Sequence, residues 1–295
     1  MNRKRSSVSR ALRVFGLLAV APAVLLPASA RQALEKAEEL YQHTDYKGSL
    51  ALLDKATEDA AANFLIARNY FMQGDFKQAT DFLIKATQEQ PNNSDYMDWL
   101  GRIYGRRAET SSFLTAPGFA SKARQSFERA VELNPANKDA LADLFDYYLN
   151  APGFMGGGYD KAVALAEQTA AIDPPEAYHE KAQLAEKRKQ FLSAEQHLRR
   201  AVAAAPHEVG HLVTLARFLA NQGRMQESDQ VFEQADRINP NAPSVWYAHA
   251  DLLIKQKRNL DQARALLQKY MNASVTPDDP PKQEAARLLK QASGA

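Results

Sequence analysis

A small residue, a large apolar residue four positions later and a second small residue three further on recur along the chain. The copies read Ser49/Leu53/Ala56, Ala79/Leu83/Ala86, Ala123/Phe127/Ala130, Ala162/Ala166/Thr169, Ala194/Leu198/Ala201, Ser228/Phe232/Ala235 and Ala263/Leu267/Tyr270. Residues four and three apart stack on one face of an α-helix, so each copy predicts a helix with a narrow stripe that a neighbour can approach closely. The first members lie 30, 44, 39, 32, 34 and 35 residues apart. That clusters near the period of about 34 residues expected of a helix-turn-helix repeat, and the two long spacings predict insertions.

Upstream of each copy a second helix is predicted from apolar or small residues at i, i+3, i+4 and i+7. The clearest are Met97/Leu100/Gly101/Tyr104, Leu212/Leu215/Ala216/Leu219 and Trp246/His249/Ala250/Leu253. A small third residue keeps the two helices of a pair from being held apart. Tight turns such as Gln73-Gly74-Asp75-Phe76 and Asn221-Gln222-Gly223-Arg224-Met225 join the helices, and Pro91, Pro135, Pro174, Pro206 and Pro240 follow the second helix, where proline ends it.

With these residues in place the chain resembles the tetratricopeptide repeat family over residues 31 to 276. The resemblance implies an all-α, right-handed superhelical α-solenoid of about seven helix-turn-helix repeats. Thr169 and Tyr270 stand where the family usually has alanine, and the first copy lacks its closing proline. These departures read as terminal wear and a locally looser turn. Residues 277 to 295 read as a linker and a capping helix, with Ala285, Leu288 and Leu289 on the face that would cover the last repeat.

The family's inner groove is lined by the first helix of each repeat. Projecting that face here gives Phe64, Arg68, Phe71 and Met72, then Trp99, Arg102 and Arg106, then Asp139, Asp143 and Asp146. Phe64, Arg68, Phe71, Trp99, Arg102 and Arg106 are the candidate protein-binding residues. An extended or helical segment with acidic and apolar side chains would fit them, because Arg forks match carboxylates and Trp is a frequent hot spot. The competing reading is that Arg102 and Arg106 pair with Asp143 and Asp146 inside the protein. Some family members hold a chaperone's C-terminus in a Lys/Asn/Lys/Arg clamp, but Phe64 and Arg68 occupy places where that clamp needs Lys and Asn, so it is not carried over.

The start of the chain differs. Arg3, Lys4, Arg5, Arg10 and Arg13 precede an apolar run from Val14 to Leu26, followed by Ala28-Ser29-Ala30. That order predicts a secretory signal peptide over residues 1 to 30 and a periplasmic or secreted protein with no stable membrane span after cleavage. The five basic residues leave with it, so 37 Lys+Arg against 35 Asp+Glu becomes 32 against 35. A nucleic-acid partner, which needs a concentrated basic surface, is not expected. The chain has no cysteine, which removes disulfides and thiolate chemistry.

Three short motifs compete with a purely structural reading. His207-Glu208-Val209-Gly210-His211 matches H-E-x-x-H, in which two histidines on adjacent helical turns bind zinc and the glutamate activates water. Here it follows Pro206 at a repeat junction and contains a glycine. Gly156-Gly157-Gly158 precedes a helix, but Lys161 is followed by alanine, so the phosphate-binding G-x-x-x-x-G-K-[ST] pattern fails. The string Ala-Pro-Gly-Phe occurs at 116 to 119 and again at 151 to 154. It predicts two loops on one edge, where Phe119 and Phe154 clasp each other or face a partner. The sequence therefore points to a non-enzymatic protein-protein scaffold in the cell envelope with no catalytic residues, cofactor or metal. The alternatives are a zinc metallopeptidase using His207, Glu208 and His211, or a self-associating structural array.

Overall fold

The computed structural model describes residues 28–53 and 59–294. Nearly all of the predicted signal segment lies outside them, as does Ala56 of the first copy. The described residues form fifteen α-helices and no strand. In order these are α1 (Ala28–Gln42), α2 (Tyr46–Leu52), α3 (Ala60–Met72), α4 (Phe76–Glu89), α5 (Ser94–Thr110), α6 (Ala116–Leu133), α7 (Lys138–Asn150) and α8 (Tyr159–Thr169). They continue with α9 (Pro174–Lys187), α10 (Phe191–Ala204), α11 (Val209–Asn221), α12 (Met225–Ile238), α13 (Pro243–Lys255), α14 (Leu260–Asn272) and α15 (Lys282–Ala292).

The helices pair antiparallel, odd with following even, and each pair leans on the next. All described members of the seven small-large-small copies are buried, and each copy marks the second helix of a pair. The apolar stripe therefore does two jobs: it meets the first helix of its own pair and the first helix of the next. A fully buried Leu or Phe contributes about 1.5–3 kcal/mol, so each such helix gains its stability from neighbours rather than from itself.

Local chemistry sets the boundaries. Asp45, Asp59, Asp75, Asn93, Asn137 and Asp173 cap helices with side-chain oxygens that accept backbone N–H bonds. The first helices of five pairs end in one recurring turn. At the second pair, Gly74 N–H donates to Phe71 O and Asp75 N–H to Tyr70 O, both at 2.9 Å, with Gly74 at φ 80°. The same bonds recur around Thr44, Lys189, Gly223 and Lys257, all at positive φ. In the third and fourth pairs residues 111–115 and 151–158 replace this turn, and these are the insertions behind the two long spacings.

First helices of successive pairs touch (α1 with α3, α5 with α7, α7 with α9, α11 with α13), whereas second helices make no comparable contact among the described residues. Closer spacing on one side is curvature, with the first helices on the concave side. The curl brings the ends together: Val275, Thr276 and Asp279 to Gln283 face Thr44 to Lys47, Met72 and Gln73 across a cleft of about 620 Å³. The helix α15 lies against α13 and α14, burying Ala285, Leu288 and Ala292.

Both departures from alanine are packing features, which corrects their reading as wear. Thr169 Oγ1 lies 3.1 Å from Leu165 O and 3.2 Å from a carboxyl oxygen of buried Glu180. The fully buried Tyr270 packs on Tyr247, with ring centroids 5.3 Å apart, and its hydroxyl donates to Pro280 O, fastening the linker to the last pair.

Candidate functional site

The six candidate groove residues come from α3 and α5, adjacent first helices on the concave side. Their i, i+3, i+4 and i+7 spacing within each helix aims them at one face. Phe64, Phe71 and Trp99 build an aromatic floor: Phe64 and Trp99 meet edge-on at 6.0 Å, Phe71 and Trp99 at 5.4 Å. Tyr96 extends the floor behind Phe64 at 4.6 Å, and Phe76 extends it beyond Phe71 at 5.5 Å. All three rings of the floor stay partly exposed.

Each arginine bears on an aromatic ring and also has an acidic partner. The Arg68 guanidinium lies 4.1 Å from the Tyr41 ring centroid and 5.5 Å from that of Trp99, and it pairs with Glu38 at 3.2 Å. Arg102 lies 5.2 Å from the Trp99 ring and is surrounded by Asp98 at 2.9 Å, Asp139 at 3.5 Å and Asp143, to which its Nε donates. Arg106, the most exposed of the three, pairs with Glu109 and reaches the Phe76 ring at 5.6 Å. Internal pairing of Arg102 with Asp143 is therefore present, but Arg106 turns to Glu109 and not to Asp146.

Burial makes ionisation costly for two of the three carboxylates around this guanidinium, Asp98 and Asp143. Asp98 is buried, and that burial pushes its pKa up to about 8 against the attraction of Arg102. Burial likewise raises Asp143, and further along the face it raises Asp146, with the charge of Asp143 adding to it. Burial works against a charged His179, yet the Glu176 carboxylate 3.1 Å away holds it above its usual value. The concave side thus passes from an aromatic and arginine end to an acidic stretch on α7 and α9. Glu38, Tyr41 and Asp98 are members that the groove projection missed. Asp98 was signalled by its place one helical turn before Arg102; nothing local pointed to the α1 residues.

The other motifs resolve geometrically. His207 and Glu208 precede α11, which starts at Val209, so the two histidines do not share a helix as the zinc signature requires. Glu208 instead lies 4.0 Å from His211. Gly156 takes a φ of 89°, and a Cβ on Gly157 would fall 1.9 Å from Ala151 O, so these glycines serve a tight return of the chain. Lys161 donates to Gly156 O at 2.8 Å within that turn. The Ala-Pro-Gly-Phe strings differ in structure. Ala116 to Phe119 opens α6, and Phe119 stacks on Tyr104 at 6.3 Å with Arg107 at 4.2 Å from its ring. Phe154 sits in a short 3-10 turn and is exposed, so the clasp between the two phenylalanines does not form.

Residues 185–252 match the family model of the tetratricopeptide repeat. That segment is built of tetratricopeptide repeats. Solved structures share this fold beyond the matched segment. A tetratricopeptide repeat protein of Parabacteroides merdae aligns with a TM-score of 0.58 at 14% identity, covering 90% of this chain and 100% of its own. Yeast Tom70 gives 0.61 at 16% identity over 90% of this chain and 54% of its own. A thermophilic repeat protein of Thermus thermophilus gives 0.54 at 20% identity over 65% and 99%. None of the curated proteins matches the sequence. In this solenoid the aromatic floor lies in the second and third repeats, where two neighbouring first helices present their concave faces.

Proposed function

We propose that the protein is a non-catalytic scaffold of the cell envelope that seats a segment of a partner protein on the concave face of its second and third repeats. The observation that carries the proposal is the floor of Phe64, Phe71 and Trp99, three partly exposed rings held edge-on by neighbouring helices. Rigid aromatics lose little entropy on binding, and such residues dominate interface energies. Apolar side chains of the segment would lie on Trp99 and Phe71. An acidic side chain would reach Arg106, whose guanidinium is the least enclosed of the three. Placement in the envelope is supported by the basic start, apolar run and Ala28-Ser29-Ala30. Cleavage after Ala30 would remove only the first residues of α1.

The test begins with affinity capture from the native envelope and identification of the partner by mass spectrometry. Trp99→Ala with Phe71→Ala is then expected to weaken the measured Kd for that partner at least tenfold, or about 1.4 kcal/mol, with helicity retained. Arg102→Ala is the wrong probe, because it would strip buried Asp98 of its cation and destabilise the repeat itself. An unchanged Kd in the Trp99/Phe71 variant contradicts the proposed seat.

A further inference from the structure

Among the described residues the large apolar side chains left exposed are not scattered. Phe113 (85% exposed), Leu114 (77%) and Phe154 (83%) stand in turns between the first and second helices of their repeats, and Phe191 (42%) and Leu192 (74%) open the second helix directly after such a turn; Leu52 is the exception. The turns belong to the third, fourth and fifth repeats, so they fall on one edge of the array in consecutive order. They are also tied to one another. Arg124 of α6 lies against Gly156 in the next turn, its Cδ 2.6 Å from where a Cβ would stand. The Arg188 guanidinium sits 4.0 Å from the ring of Tyr159, which opens α8. The tips are held from inside: Tyr147 Oη donates to Met155 O at 2.8 Å, and Gly158 N–H to Tyr148 O at 2.8 Å.

Charge distinguishes this edge from the opposite one. The three turns, with the last four residues of the helix before and the first three of the helix after, carry Arg107, Lys161, Lys187, Arg188 and Lys189 against Glu109, Asp160 and Glu186. The same stretch around the far-edge turns of these repeats carries Glu132, Asp139, Glu167, Asp173, Glu176 and Glu208 against Lys138. We propose that the apolar, basic edge formed by these three turns docks the protein on an anionic lipid surface, with Phe113, Leu114, Phe154 and Leu192 entering the boundary between headgroups and acyl chains.

Lipid suits this geometry better than a protein. Phe113, Leu114, Phe154 and Leu192 stand 74–85% exposed at three separate turns, so they are single projecting side chains and not the continuous packed face that a stable protein interface of about 1,000 Å² or more requires. At a membrane each side chain partitions independently, and neighbouring lysines and arginines add attraction to anionic headgroups. No described helix is long and apolar enough to cross a bilayer, so the contact is peripheral. Because the tips stand at helix ends, an array held this way keeps the faces of α3 and α5 open. The proposal is independent of the groove seat.

Co-sedimentation of the purified protein with vesicles tests it. Vesicles of phosphatidylcholine containing phosphatidylglycerol are compared with phosphatidylcholine alone, and the parent is compared with Phe113→Ser/Phe154→Ser/Leu192→Ser of identical length. The parent is expected to sediment with the anionic vesicles and more weakly with neutral ones, while the serine variant binds at least tenfold less at the same thermal stability. Lys187→Glu/Lys189→Glu, which leaves the apolar tips in place, is expected to lose the preference for phosphatidylglycerol. Equal sedimentation of parent and serine variant, or no sedimentation of the parent, overturns the proposal. So does light scattering that shows a parent dimer, dissolved by the serine changes, with no vesicle binding.

Discussion

Gly101→Leu is expected to cost the array about 3 kcal/mol or more, whereas Gly105→Ala, one turn along the same helix, is expected to stabilise it. Glycine inside a helix normally costs about 1 kcal/mol relative to alanine, so replacing it should help unless space forbids. At Gly101 space forbids: a Cβ would stand 2.5 Å from two ring carbons of Phe127, a buried side chain of the facing helix α6. The Phe127 ring is itself the large member of a small-large-small copy and has no open side to swing into. Even alanine must push α5 from α6, an overpacking penalty of about 1–3 kcal/mol that outweighs the gain in helix propensity. At Gly105 nothing lies within 4 Å of the added carbon, so only the propensity gain of about 0.5–1 kcal/mol remains. Urea midpoints of the two variants decide it: shifts of the same sign would show that the close approach of α5 and α6 is not where the structure puts it.

The second large effect is in the pH dependence. Raising pH from about 5.5 to 8 is expected to remove about 2–3 kcal/mol of stability through Glu180 alone, and Glu180→Gln to abolish that share. Glu180 is fully buried, with one carboxyl oxygen 3.2 Å from Thr169 Oγ1 and the other without a hydrogen-bond partner. Burial pushes its pKa up to about 8, with the Thr169 hydrogen bond opposing the rise. The unfolded chain releases this proton near pH 4.3, so between that value and about 8 the folded protein holds one proton more than the unfolded one. Stability therefore falls as pH rises through that window, by up to about 1.4 kcal/mol per unit, and levels off above it. Asp98, raised by the same cause, adds a slope of the same sign. Glutamine keeps the shape and the hydrogen bond to Thr169 without a charge to bury. The check is chemical denaturation at several pH values; a Glu180→Gln profile that keeps the full parental slope would contradict the assignment.

The repeat was legible because burial in a solenoid is local: every second helix must present the same stripe to the same two neighbours, so Ala79/Leu83/Ala86 and Ala194/Leu198/Ala201 repeat one solution. Where the chain departs from that solution the periodicity was silent. Thr169 marks not a worn repeat but the hydroxyl beside Glu180, and Tyr270 marks the anchor of the linker. Identical strings took different structures because their contexts differ: Ala116 to Phe119 has room to start α6, while Ala151 to Phe154 must turn back before three glycines. The approach of the two ends is carried by no single residue, since it accumulates from small rotations at each repeat interface. In the groove, spacing placed Phe64, Arg68, Phe71, Trp99, Arg102 and Arg106 on one face, but the partner of each arginine depended on inter-helix distances. Asp143 comes within reach of Arg102, and Glu109, a turn away on the same helix, takes Arg106.

The central claim is that the concave face of α3 and α5 holds a partner, and a photo-crosslinking amino acid in place of Phe71 tests it most directly. The reference position is Gln125, exposed on α6 away from that face. Irradiation in the native envelope is expected to join Phe71's replacement to one discrete protein segment rich in apolar side chains, and to give no such product from position 125. Crosslinks from position 125 with none from position 71 would contradict the account.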